Sequence, residues 1–301
     1  MADPLNRPLD QAGTLRAMNA SQQTEEAEHA ARVFSITSGK GGVGKTAVVA
    51  NLAVLLAHMG KRVLILDADL GLANIDVVFG LTPTYNLNHF FSGDQSLQSI
   101  LLEGPHGIRI LPAGSGIQRF TRLNAEQKLR LLEALDQMHN DFDIVLIDTE
   151  AGISENVTYF NTAAQEILVV TTPEPTAITD AYALMKLLAN QYHEKHFNLI
   201  VNFIKTEEEA LDVYRKLTMV ANRYLDISMD YLGSIPRDKS MVEAIRQQQV
   251  MVELYPESRI SQAFAALATA VLQEPERLEP KGSLQFFWKR LLNLAPDKLK
   301  A

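Results

Sequence analysis

Four glycines and two lysines are crowded into eight residues, Gly39-Lys40-Gly41-Gly42-Val43-Gly44-Lys45-Thr46. Glycines let a backbone adopt positive φ and approach an anion without a Cβ in the way. Successive N–H groups then form a nest at a helix N-terminus, whose dipole favours negative charge. The spacing fits the phosphate-binding loop Gly-x-x-x-x-Gly-Lys-[Ser/Thr]. Lys45 would reach the β- and γ-phosphates of a nucleoside triphosphate, the Thr46 hydroxyl would bind Mg²⁺, and Val43 and Ala47 complete the cradle. Lys40 is surplus to that task, because Lys45 already neutralises the site. Two acidic groups complement the loop. Asp148 closes the run Asp143-Ile144-Val145-Leu146-Ile147, where it could hold Mg²⁺ opposite Thr46. Asp67 and Asp69 lie two residues apart after another apolar run and point the same way if the chain stays extended. One could support the metal's water shell while the other orients an attacking water.

These residues need strands to end under the phosphates and a helix to start there. Val33–Thr37 is a short β-prone run before the loop, and Ala47–Met59 has helical spacing after it. Apolar runs at 62–67, 108–114, 143–148, 166–171, 197–202 and 231–236 read as further strands. Helical patterns fill 124–139, 176–190, 207–224, 238–247 and 259–272, with Leu129, Leu132 and Leu135 on one side of the first. Such alternation predicts an α/β fold: a single P-loop NTPase domain over residues 32–273 with a mostly parallel, doubly wound sheet. Ligands of such sheets lie at the strands' carboxyl ends, where the acids fall.

The loop resembles that of the deviant Walker A ATPases, the MinD/ParA class. By that resemblance Lys40 is a signature lysine that crosses a dimer interface to the partner's ATP, and the cofactors are ATP and Mg²⁺. Asp67-Ala68-Asp69-Leu70-Gly71-Leu72-Ala73-Asn74-Ile75-Asp76 looks like the class's switch I, which implies that Asp69 positions water and Asp67 sits nearer the metal. Asp148-Thr149-Glu150-Ala151-Gly152 looks like switch II, with Glu150 where the family has Gly or Pro. A carboxylate facing the nucleotide would oppose ATP, so Glu150 is expected to point away. The resemblance also implies that Asn202 reads the adenine edge and that Pro236 and Arg237 flank the base.

The two ends narrow the resemblance. Residues 1–31 form a polar leader containing Asp10-Gln11-Ala12-Gly13-Thr14-Leu15-Arg16, which matches the Asp-Gln-Ala-x-x-Leu-Arg element of the FlhG (FleN, YlxH) family of MinD-like ATPases. That family controls the number and placement of flagella, and its leader stimulates the signal-recognition-type GTPase FlhF. Asp10, Gln11, Leu15 and Arg16 are the implied contacts, Gln11 foremost. After a linker at 274–282, residues 283–296 are expected to form a helix capped by Ser283 and stopped near Pro296, followed by a tail at 297–301. Leu284, Phe287, Trp288, Leu291 and Leu292 share one arc, with Lys289 and Arg290 outside it, which suits shallow insertion into an anionic membrane surface. The alternative reading is a last core helix or a partner-docking helix.

Composition bounds the choice. The 301 residues are 47% hydrophobic, contain no cysteine and carry a net charge of −8. No cysteine means no disulfide and no cysteine-ligated cluster, and it fits a reducing cytoplasm. The polar start is expected to lack a signal peptide. The acidic balance argues against a nonspecific nucleic-acid surface. The expected protein is an ATP hydrolase that dimerises with ATP and docks reversibly on the cytoplasmic face of the inner membrane. Its partners would be FlhF and either flagellar switch (C-ring) proteins or a flagellar transcriptional activator. The rivals are a MinD-type division-site ATPase, a ParA-type DNA-segregation ATPase, and a nucleotide-binding regulator with weak hydrolysis.

Overall fold

Side-chain alternation along the strands sets the layers. The computed structural model describes residues 31–69, 74–112, 124–138 and 140–273. In β1 (Arg32–Ser38), Phe34 and Ile36 pack into one hydrophobic cluster while Val33 packs into another, on the opposite face. The same division recurs in β2 (Val63–Ala68), with Val63 and Ile65 against Leu64 and Leu66. Strands buried on both faces need helices on both faces.

The remaining strands are β3 (Leu102–Glu103), β4 (Arg109–Leu111), β5 (Ile144–Ala151), β6 (Glu166–Thr171), β7 (His196–Ile204) and β8 (Ser228–Pro236). They form one sheet in the order β3-β4-β2-β5-β1-β6-β7-β8. All neighbours are parallel except β3 and β4. β1 sits between β5 and β6, so its carboxyl end is where the chain's crossovers diverge to the two sides of the sheet. Such a point opens a crevice for a ligand.

Helix α1 (Lys45–His58) lies against the first face, with Val48, Val49, Ala50, Leu52, Ala53, Val54 and Leu56 all buried. It is enclosed almost all round because α11 (Arg259–Gln273) covers it through Ile260, Phe264 and Leu267. Between them in the chain run α2 (Ile75–Val78), α3 (Leu87–Ser92), α4 (Leu97–Ile100), α5 (Ala125–Asp136), α6 (Glu155–Ala163), α7 (Pro175–Tyr192), α8 (Glu207–Tyr224), α9 (Lys239–Arg246) and α10 (Met251–Leu254).

Three expectations change. The strand read at 108–114 spans Arg109–Leu111 and pairs with an antiparallel edge, Leu102–Glu103. In α5 the core face is Leu131 and Leu135, continued by Met138, while Leu129 is 57% exposed. The i, i+4, i+7 set faces the sheet, and Leu129 is rotated off that face. Helix α6 was not among the expected helices: Ser154 caps it, accepting from the Val157 N–H at 3.3 Å. Asp10, Gln11, Leu15 and Arg16, the switch I residues Leu70–Ala73, and Leu284, Phe287, Trp288, Leu291 and Leu292 lie outside the described residues.

Candidate active site

The glycine loop leaves the end of β1 and enters α1 at Lys45. Only two of its glycines are held at positive φ, Gly42 at 78° and Gly44 at 91°. Gly39 is needed for space instead, since a Cβ there would collide with the Asp180 carbonyl in α7. Gly41 shows neither demand. The loop thus uses the freedom of positive φ at two of its four glycines.

The two lysines face different ways. Lys45 is buried, and its Nζ donates to Ser38 Oγ at 2.9 Å. The Ser38 hydroxyl donates in turn to the Lys40 carbonyl at 2.8 Å, tying the loop's two halves together. Burial holds the Lys45 ammonium below its ordinary pKa, against the opposing pull of Asp148, Asp69 and Glu150. Lys40 instead reaches outward along the subunit's own surface. Its Nζ donates to Glu174 Oε2 at 3.0 Å and Thr176 Oγ1 at 2.9 Å, with 38% of the side chain exposed. Ser38, Glu174 and Thr176 carried no motif by which the sequence would have flagged them.

Strand register assembles the acids. Asp67 on β2 and Asp148 on β5 are direct neighbours across the ladder, and both are buried. Asp67 accepts from the backbone N–H groups of Asp69 at 3.1 Å and Ile75 at 3.4 Å. Burial pushes its carboxyl up to about 8, helped by the neighbouring Asp148 charge. Burial also raises Asp148, to about 6, against the hydrogen bond from Thr46 and the charge of Lys45. Asp148 Oδ1 is buried without a hydrogen-bond partner. A Thr hydroxyl and two carboxyl groups, one of them with an unpartnered oxygen, form the hard oxygen set that suits Mg²⁺, and a cation would relieve both raised carboxyls. The residues fit the ion. Asp69 follows at the exit of β2, half-buried and close enough for its charge to act on Lys45 and Asp148.

Glu150 is turned onto the Ser154 hydroxyl, which donates to its Oε1 at the start of α6. Its charge still reaches Lys45. The side chain is thus tethered outside the loop without being electrostatically remote.

On the other side of the loop lies a cleft of about 520 Å³. Gly44, Ala47, Asn202, Pro236 and Arg237 all line it, which brings the candidate base-side residues together with the candidate phosphate loop. Its floor and rim are largely apolar, with Phe203, Met241, Val242 and Ile245. The Asn202 amide is committed inward: Nδ2 donates to the Val43 carbonyl at 2.8 Å, and Oδ1 accepts from the Phe203 N–H at 2.8 Å. In this geometry it braces the loop, and the cleft's apolar residues offer the flat contacts a base needs. Phe203 has φ 61° where the β7–β8 register shifts, which swings its ring toward Gly44. This bulge gives no sequence signal, because Phe is rarely found at positive φ.

A phosphate nest, a buried lysine, paired acids and an apolar cleft at the crossover point of a parallel sheet define a P-loop nucleoside triphosphatase. The family model described as "ParA: NUBPL iron-transfer P-loop NTPase" matches residues 29–272, and the chain belongs to this MinD/ParA family of ATPases. The iron transfer in that description has no cysteine here to serve it. The chain is 44% identical over 264 residues to the antiactivator FleN of Pseudomonas aeruginosa, covering 88% of this chain and 94% of that one. It is 34% identical to the flagellum site-determining protein YlxH of Helicobacter pylori, covering 87% and 90%. Among solved structures, septum site-determining MinD from Pyrococcus horikoshii, complexed with Mg-ADP, superposes with a TM-score of 0.64 at 28% identity, covering 81% and 96%. The likeness is of the FlhG type within the family.

Proposed function

We propose that the protein is an ATP- and Mg²⁺-dependent switch that dimerises with ATP, docks on the membrane and regulates flagellar number and placement, through the GTPase FlhF. The flagellar assignment rests on the likeness to an antiactivator FleN and a flagellum site-determining YlxH. Lys40 is the observation that carries the dimer. One loop holds two lysines: Lys45 is buried on Ser38, where it would serve the subunit's own phosphates, and Lys40 lies on the surface in contacts that it can exchange for another charge. Ile153, 55% exposed just past the end of β5, sits on the same rim, since β5 ends at Ala151 beside Ser38. A second copy placed over this rim would cover it and offer a phosphate to Lys40.

In the cycle, the loop's N–H groups and Lys45 bind the phosphates, and the cleft takes the base. Thr46, Asp67 and Asp148 would hold Mg²⁺, which neutralises charge developing on the transferred phosphoryl group. Asp69 orients the attacking water from the exit of β2. Loss of the γ-phosphate removes Lys40's distant partner, and Lys40 returns to Glu174 and Thr176. ATP-bound dimers present two copies of the amphipathic segment expected at 283–296, and linked binding strengthens what one such short segment would hold only marginally.

Two assays on the full chain test this reading. Liposomes containing anionic lipid should sediment the Asp69→Ala variant with ATP but not with ADP, and GTP hydrolysis by FlhF should rise with wild type but not with Gln11→Ala. Equal sedimentation with both nucleotides would remove the membrane switch, and unchanged GTP hydrolysis with wild type would remove FlhF as the target.

A further inference from the structure

We propose that His58, His106 and Glu253 form a second metal site, for a divalent transition ion of the zinc class, distinct from the oxygen-lined phosphate site. His58 is the last residue of α1, His106 lies in the turn Pro105–Gly107, and Glu253 is in α10. Their ligating atoms all lie within 4.8 Å of one another. His58 Nε2 stands 2.9 Å from His106 Nε2, and His106 Nε2 stands 2.6 Å from Glu253 Oε1. The two rings meet edge to face, with centroids 4.1 Å apart.

Three ligand atoms thus converge on one point. A single imidazole nitrogen carries either a proton or a lone pair. A proton on His106 Nε2 can be directed well at Glu253 or at His58, not at both. A cation between the three would accept a lone pair from each. Two imidazoles and one carboxylate suit zinc and its neighbours and are a poor set for Mg²⁺ or Ca²⁺, which favour oxygen. Zinc–nitrogen bonds of about 2.0–2.1 Å put tetrahedral ligands roughly 3.3 Å apart. The present spacings reach that with small rotations of exposed side chains. All three residues are exposed, leaving room for water or a further ligand at the open position.

The turn that carries His106 is shaped for this placement. His106 has φ 55° and Gly107 φ 78°, two successive left-handed residues, and the turn is closed by Gly104 N–H to Ile108 O at 2.8 Å. The site would clip together segments 48 and 147 residues apart in the chain. It lies at the far end of α1 from Lys45, about 20 Å away for a 14-residue helix. It therefore acts on stability rather than on phosphate chemistry.

The test uses the full chain without an affinity tag, with excess Mg²⁺ to occupy oxygen sites. Co²⁺ is added and its visible absorption followed, then Zn²⁺ is added in competition. One Co²⁺ per chain, displaced by Zn²⁺, is expected, with the melting temperature raised by about 5 °C at saturating Zn²⁺. His106→Ala and Glu253→Gln should each weaken binding at least tenfold while leaving ATP turnover in Mg²⁺ buffer free of transition metals unchanged. The chain has seven histidines in all, so a His58→Ala/His106→Ala double variant sets the background. No stoichiometric Co²⁺ spectrum in wild type, or the same affinity in the double variant, would overturn the proposal.

Discussion

The phosphate end and the base end of the site are built on opposite principles. At the phosphate end, ionisable groups are buried at strand ends and at the start of a helix: Asp67, Asp148 and Lys45 all lie out of water, with both carboxyls raised. At the base end, Phe203, Met241, Val242 and Ile245 supply apolar surface, and Val242 and Ile245 are more than 40% exposed. One end is costly to build and suits a ligand held by charge. The other is cheap and suits one held by contact area. Changes at the first should therefore abolish function, whereas changes at the second should grade it.

Lys45→Ala should give the largest effect. Removing a preorganised cation from a developing phosphoryl charge typically lowers kcat about 100- to 1000-fold. Steady-state ATP hydrolysis measures it, and a loss under tenfold would mean that Lys45 is not the internal charge. Asp67→Asn comes next, and it should separate stability from function. The folded carboxyl titrates near 8 and the ordinary value is 3.8, so the folded state holds the proton more tightly. That contribution to stability is complete below about pH 4 and is lost as the pH rises through 8. Metal-free wild type should accordingly lose denaturation midpoint between those pH values. Asp67→Asn should flatten the slope, melt higher at pH 8.5 and lose Mg²⁺-dependent turnover.

At the base end the effects should be smaller. Asn202→Ala leaves the buried Val43 carbonyl unpaired, which costs about 1–3 kcal/mol. It should raise KM for ATP about tenfold with less effect on kcat. Ile245→Ser removes only rim contact and should raise KM about threefold. If Ile245→Ser proved as damaging as Lys45→Ala, the contrast between the two ends would fail.

The same contrast explains what could be read from the residues alone. The phosphate end is local: a glycine loop and two acids, each closing its own aliphatic run, are visible in short windows, and the strand register then places Asp67 beside Asp148. The base end gathers the ends of β7 and β8 with α9, and only a family resemblance pointed to Asn202, Pro236 and Arg237. Nothing local announces that Phe203 takes a left-handed conformation or that Asn202 spends its amide on the loop. Glu174 and Thr176, which hold Lys40, are separated from it by more than 130 residues. Long strands and helices were legible because burial on both faces leaves unbroken apolar runs. The two-residue edge strand Leu102–Glu103 is set by pairing with β4 instead, and Leu129 misled because three leucine phases overlap in α5.

The central claim is that Lys40 serves a second copy of the chain. Light scattering on Asp69→Ala, and on the Lys40→Ala/Asp69→Ala double variant, each with Mg-ATP or Mg-ADP, tests it most directly. Asp69→Ala should have twice the monomer mass with Mg-ATP and the monomer mass with Mg-ADP. The double variant should stay monomeric with both while still binding ATP. A monomeric Asp69→Ala under saturating Mg-ATP, or a double variant that still dimerises, would contradict the account.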